Sequence, residues 1–307
     1  MRLSLLGPIL GVALTGCAPG AASPVQFPVQ VEERAPAVTQ LAAPAEWPTP
    51  KAKVGMPGTK ERARIQTWLE PEALHGDALI LATTARCPAE MAFVGDRVCV
   101  DRWEASLVER TTQGERPWSP FASIEGNEHG VRAVSIPGVL PQGYISGAQA
   151  MNACTASGKR LCTADEWLDA CRGPEDTTFP YGATRRSHVC NDDIRPVHPV
   201  AEIGALLDIA PGELWRSTMN NPLINQLSDA LLPAGERAEC TNEYGVFDMV
   251  GNLHEWIDDP NGTFRGGYYM DTAHNGDGCK YATSAHSFTY HDYSTGFRCC
   301  MDPERVE

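Results

Sequence analysis

Eleven cysteines in a chain of 307 residues, with no Cys-x-x-Cys pair among them, constrain the fold more than any other feature. A reducing cytosol rarely supports so many thiols outside a metal site, so the count points to an oxidising compartment and a disulfide framework. Such staples suit a chain poor in long regular elements, and 28 glycines with 24 prolines argue for loops and turns over a long helical bundle. Hydrophobic residues make up 42%, enough to bury a real core and to exclude disorder throughout. The 25 basic residues face 39 acidic ones, giving a net charge of -14 with no basic cluster. That argues against a nucleic-acid partner, because phosphate binding needs Lys and Arg gathered on one face.

The N-terminal residues specify the compartment. Met1 and Arg2 make a minimal positive start, and the apolar run from Leu3 to Leu14 is too short to span a bilayer, which predicts a signal peptide over 1–16. Leu14, Thr15, Gly16 and Cys17 resemble the lipobox of bacterial lipoproteins, in which the cysteine thiol takes a diacylglyceryl group. The expected location is therefore the cell envelope, lipid-anchored through Cys17. Ala18 follows the cysteine where an Asp would oppose onward sorting, so in a Gram-negative cell the outer membrane is expected. Removing Cys17 leaves ten cysteines between Cys87 and Cys300, an even number that complete pairing turns into five disulfides.

Residues 17–60 read as a lipidated, proline-rich tether, since eight prolines are interspersed from Ala18 to Lys60 without helical or strand periodicity. Residues 61–85 form a connecting segment where Ile65, Leu69 and Leu74 share one face of a short helix that Pro71 interrupts. The domain is expected over 86–302. It opens with two strands, Met91 to Val94 and Arg97 to Trp103, joined by a two-residue turn at Gly95 and Asp96, with Cys87 and Cys99 flanking it. Ser146 with Gln149 makes a capping-box start for a helix to about Ala156, and Thr163 with Glu166 repeats the device for a helix ending at Gly173. A long stretch of little regular pattern follows, then short strands around Phe264 to Met270 and Gly296 to Met301. The class is α+β with a minority of regular structure.

Several segments in order carry a resemblance: CVDRWEAS from Cys99, GKRLCTADEW (158 to 167), YGVFDMVGNLHEW (244 to 256), FRGGYYM (264 to 270) and STGFRC (294 to 299). Together they resemble the formylglycine-generating enzyme, or sulfatase-modifying factor, family across nearly all of residues 87 to 300. The resemblance implies a variant of the C-type lectin fold, low in regular structure and disulfide-stapled. It also implies pairing of Cys154 with Cys299 and of Cys171 with Cys279. Cys87 with Cys99 is then the local candidate, and Cys162, Cys190, Cys240 and Cys300 are left for two unassigned bridges.

The family's chemistry does not carry over in the same way. Its two thiolates hold copper as soft sulfur ligands. Here Asp271 stands at the first of those positions, Thr272 to Gly278 contains no cysteine, and Tyr268 replaces the serine after RGG. Copper is not expected, and the former cleft would be lined by Arg265, Tyr268, Asp271 and His274, the last two a conceivable acid/base pair. DMVGNLHE resembles the family's calcium loop, implying side-chain oxygen from Asp248 and Glu255 and carbonyls from Gly251 and Leu253, a hard donor set for a hard cation. A second calcium position would begin at Asn191 and the carbonyl of Asp192. His254 adjoins Glu255 but no HExxH pattern occurs, and the three scattered histidines near Asp292, His274, His286 and His291, read as surface or network residues. Asp101 and Arg102 suit a buried ion pair, and Trp103, Trp167 and Trp256 suit the core.

No phosphate-cradling loop and no GxSxG elbow occurs. Three functions stay open: a membrane-anchored module binding a protein or saccharide ligand, an enzyme with a rebuilt, oxidase-type site, and a structural envelope protein. The missing thiols favour the first.

Overall fold

The computed structural model describes residues 87–304 apart from 193, 194 and 285. The signal peptide, the tether with Cys17 and the helix expected within 61–85 lie outside the described residues. Within them, regular structure comes in short pieces arranged as three small sheets and four helices.

The first sheet is built from Met91–Val94 (β1), Val98–Asp101 (β2), Arg160–Leu161 (β6) and Cys299–Met301 (β11), in the order β1–β2–β11–β6. All four residues of β2 are buried, as a strand between two neighbours requires when both faces are covered. The β1–β2 connection corrects the expected two-residue turn. Val94 pairs with Val98, so Gly95, Asp96 and Arg97 form a three-residue loop, with Gly95 and Asp96 at φ 57° and 54°. The extra residue, Arg97, reaches across to Asp169 at 2.5 Å.

Ala105–Thr111 (β3), Gly114–Pro117 (β4) and Val131–Ser135 (β5) make a second sheet, ordered β4–β3–β5, which the sequence reading did not anticipate. The edge strand β4 is exposed at every residue and holds its place through cross-strand ion pairs, Arg116 to Glu109 at 2.6 Å and Arg132 to Glu115 at 2.5 Å. His254–Trp256 (β7), Phe264–Arg265 (β8), Ala282–Thr283 (β9) and Thr295–Phe297 (β10) make the third sheet, ordered β10–β7–β8–β9, with β10 parallel to β7.

Both expected capping boxes form. Ser146 caps Gly147–Thr155 (α1), and Thr163 caps Ala164–Arg172 (α2), each through reciprocal bonds with the residue three ahead. Gly173, at φ 69°, ends α2. The stretch read as irregular contains Pro199–Leu206 (α3), capped by the imidazole of His198, and the single turn Leu214–Ser217 (α4).

Five disulfides tie these pieces together. Cys87 is joined to Cys99, Cys154 to Cys299 and Cys171 to Cys279, the three pairs named above, and the two unassigned bridges are Cys162 to Cys300 and Cys190 to Cys240. Three of them span 145, 138 and 108 residues, and a closed loop of that length removes on the order of 4 to 5 kcal/mol of unfolded-state entropy in the chain-entropy model. Trp167 and Trp256 are fully buried in two adjoining apolar cores, whereas Trp103 is only half-buried, stacked on Phe247 with ring centres 6.1 Å apart. A third cluster is rich in tyrosine, with Tyr144, Tyr269 and Tyr293 packed around Ile203 and Ile224.

Candidate functional site

The motif residues spend their polar groups on one another and so fix the frame of the site. Lys159 donates to Asp101 at 2.6 Å, and Arg160 grips Glu166 with two bonds of 2.7 Å. The ion pair expected between Asp101 and Arg102 is thus not the one formed. Arg102 turns to the carbonyls of Tyr244 and Gly245 instead, because the backbone of that turn leaves acceptors beside it. Deeper still, the Arg298 guanidinium holds both oxygens of Glu255 at 2.7 and 2.6 Å, and the Trp167 indole N–H donates to the same carboxylate at 2.6 Å. All three residues are essentially without solvent contact.

The loop from Asp248 to Glu255 follows from three left-handed residues, Asp248, Gly251 and Asn252, at φ 57°, 83° and 57°. Gly251 is required: a Cβ there would stand 2.2 Å from the carbonyl oxygen of Asn191. Asn191 is accordingly brought against this loop, its carbonyl accepting from Asn252 N at 2.8 Å and its amide donating to Asn252 Oδ1 at 2.9 Å. Asn191 Oδ1 is buried without a hydrogen-bond partner. Asp192, next along, takes a bond from Thr272 Oγ1 at 3.2 Å and one from Arg185 at 3.1 Å, and the same guanidinium reaches the Asp192 carbonyl at 3.3 Å.

Glu104, part of the CVDRWEAS segment but given no role at this loop by the sequence, completes the group. Its carboxylate accepts from Asn252 Nδ2 at 2.5 Å and from Leu253 N at 3.0 Å. Burial lifts Glu104 well above the usual carboxylate range, with Asp248 and Glu255 adding to the effect. Burial likewise pushes Asp248 up to about 7, against a bond from Gly235 N. Burial and mutual repulsion thus hold Glu104 and Asp248 toward their neutral forms beside the Glu255–Arg298 pair.

At the position of the absent thiol, Asp271 is engaged on both oxygens: Oδ1 accepts from Ala273 N and His274 N, and Oδ2 from the Tyr281 hydroxyl at 3.1 Å. The backbones of Tyr268 and Asp271 exchange two bonds of 2.9 Å. His274 meets Asp271 through its backbone N–H, with its side chain exposed, so no imidazole–carboxylate pair is formed there. Arg265 lies elsewhere, its guanidinium 6.0 Å from the Trp167 ring. Of the four cleft residues, Tyr268 and Asp271 are therefore the two that face one neighbourhood.

His254, beside Glu255 in the sequence, is buried. Its ring sits among Phe264, Tyr268 and Tyr281 at 4.5, 4.8 and 5.4 Å, and burial holds it down to about 3, so it is neutral. The hydroxyls of Tyr268 and Tyr293 are 3.3 Å apart, with His198 Nε2 3.5 and 3.4 Å away. Nothing local in the sequence marked Tyr281, Tyr293 or His198, since each reaches this place from a different loop.

Comparison with known proteins gives a consistent relation. The family model described as "Sulfatase-modifying factor enzyme 1-like domain" matches residues 98–303. Formylglycine-generating enzymes of Bos taurus and Mus musculus are 28% and 27% identical over 187 residues, which is 52% of this chain and 43% of each relative. The match thus spans less than half the length of those relatives. Among solved structures, the Major Tropism Determinant U1 variant is similar with a TM-score of 0.39 at 17% identity, covering 73% of this chain and 55% of that one. PvdO from Pseudomonas aeruginosa is similar with a TM-score of 0.40 at 13% identity, covering 67% and 80%.

Proposed function

The chain belongs to the sulfatase-modifying factor family, with that family's α+β, disulfide-stapled variant of the C-type lectin fold, and we propose that it serves as a membrane-anchored binding module and not as a formylglycine generator. One observation carries this reading: every cysteine among the described residues is in a disulfide, and the first copper-ligand position is a carboxylate already engaged by two backbone N–H groups and a tyrosine. Cys279, the thiol nearest in sequence, is bonded to Cys171. A hard oxygen ligand does not hold Cu(I) as two sulfurs do, so the residues here do not fit that metal. The fold can keep its cleft while losing its chemistry, because function lives in sites.

For this loop we infer a calcium ion, on the ground that its oxygens are hard donors. The surplus of buried carboxylate at Glu104, Asp248 and Glu255 favours a cation beside the loop, where Asp248, Glu255 and the carbonyls of Gly251 and Leu253 would hold it as a structural ion. At the second position the unpartnered Asn191 Oδ1 suits a cation, while Arg185 already offers its charge to the Asp192 carbonyl. The signal segment and lipobox at Cys17 support anchoring to the cell envelope.

The test is mass spectrometry of a sulfatase-motif peptide incubated with the purified full chain, oxygen, reductant and Cu(I). The cysteine is expected to remain unconverted. Formylglycine above a no-protein control would overturn the reading in favour of a rebuilt oxidase site.

A further inference from the structure

Helix α3 is held at its start by a group that titrates. Pro199, its first residue, has no N–H, so Val200 is the first residue whose N–H the helix itself cannot satisfy. The imidazole of His198 takes it, Nδ1 accepting from Val200 N at 3.3 Å. A ring nitrogen accepts only while it carries no proton, so this bond selects the Nε2–H tautomer of the neutral ring. Nε2 stands 3.5 and 3.4 Å from the hydroxyls of Tyr268 and Tyr293, and the Trp215 ring meets the imidazole edge-on with centres 4.8 Å apart.

A serine or asparagine cap accepts at any pH, whereas a histidine cap accepts only when neutral. Protonation turns Nδ1 into a donor facing a donor and places a cation at the positive end of the helix. Two charged residues act on the ring. Arg195 lies just before it, bonded to Glu202 of α3 and to the Ser228 carbonyl, and Asp292 is engaged by Ser294 N at 2.8 Å and Ser294 Oγ at 2.7 Å. From α4 the ring meets Trp215, while Arg216 is exposed beside Glu213 at 3.7 Å. Burial holds His198 below the usual imidazole range, with Arg195 adding to the effect and Asp292 opposing it. The stability lent by the neutral cap is therefore complete above the ordinary imidazole range and is lost as pH falls through the lowered native value.

Val200 and Ile203 bury their side chains against Tyr144, Tyr269 and Tyr293, with Tyr268 at the edge of the same cluster. Tyr268 in turn exchanges backbone bonds with Asp271. We propose that α3 is an acid-sensitive cover: protonation of His198 breaks its cap and loosens the helix from the tyrosines that border the Asp271 turn. The bridge of Cys190 to Cys240 closes off the stretch that carries α3, so the loosening stays local.

The experiment is hydrogen–deuterium exchange of the full chain, read by mass spectrometry at pH 7.5 and 5.0 and corrected for the intrinsic exchange rate. Protection of α3 is expected to fall about tenfold at pH 5.0, the scale of a lost cap together with an opposed helix dipole, while α1 and α2 keep theirs. His198→Asn supplies a cap that does not titrate, and its α3 protection is expected to change less than about twofold. Nitrogen NMR of the wild-type histidines gives a readout that needs no variant: His198 is expected as the Nε2–H tautomer at pH 7.5. Unchanged α3 protection in the wild type, an equal fall in His198→Asn, an equal fall in α1 and α2, or an Nδ1–H tautomer at pH 7.5 would overturn the proposal.

Discussion

Glu255 shows how a residue named for one role can be held by another. Oε2 accepts from both Arg298 Nε and Trp167 Nε1, whereas Oε1 accepts from Arg298 Nη2 alone and keeps a second lone pair that a structural ion could share with the guanidinium. Asp248 is the cleaner probe, since removing Glu255 would strand a buried Arg298 and cost about 3 to 5 kcal/mol whether or not calcium binds. Calcium is expected to raise the melting temperature of the wild type relative to chelator, because a ligand that binds only the native state stabilises it by mass action. Asp248→Asn keeps an acceptor for Gly235 N but removes the charge, and its melting is expected to be indifferent to calcium. Equal melting of the wild type in calcium and in chelator would discard the site. Asp248, Gly251 and Leu253 were legible because they lie in one short motif. The part Glu104 plays here was not, because it arrives from a segment far away in sequence, and only the fold brings its carboxylate to Asn252 and Leu253.

At the scale of elements, local signals are legible and distant ones are not. Thr163 and Glu166 predict the start of α2 because a capping box is complete within four residues, and both of its bonds form, 3.3 Å from Glu166 N and 2.9 Å from Thr163 N. Thr163→Ala is expected to cost about 1 kcal/mol of stability, measured by denaturant unfolding, since one N–H of the first turn loses its acceptor. The second sheet escapes notice for the opposite reason. Its edge strand, Gly114–Pro117, has no apolar alternation and is fixed by ion pairs to Glu109 and Arg132 across the sheet. Helix α3 is hidden because its cap is a histidine, outside the usual Ser, Thr, Asp and Asn set, although Pro199 at its first turn is a usable sign.

Over the whole molecule, the family resemblance supplied what spacing could not: two of the five cysteine pairs and the fold class that contains them, while Cys87 with Cys99 was legible as a local pair flanking a hairpin. The remaining pairs needed coordinates, because Cys162, Cys190, Cys240 and Cys300 offer several pairings of equal merit by count alone. The anchor is a whole-molecule property too, and it is tested on the intact precursor. Wild-type protein is expected to partition into detergent, and Cys17→Ala to remain in the aqueous phase; a soluble wild type without lipid mass would rule the anchor out. The adjacent cysteines of β11 carry a consequence for biogenesis. Cys299 and Cys300 bind Cys154 and Cys162, and their strand lies inside the first sheet, between β2 and β6. Neither bridge can close, and that sheet cannot be completed, until synthesis has delivered residue 300. Maturation therefore waits for nearly the entire domain to be made, and the earlier thiols must be shielded meanwhile from pairing with one another.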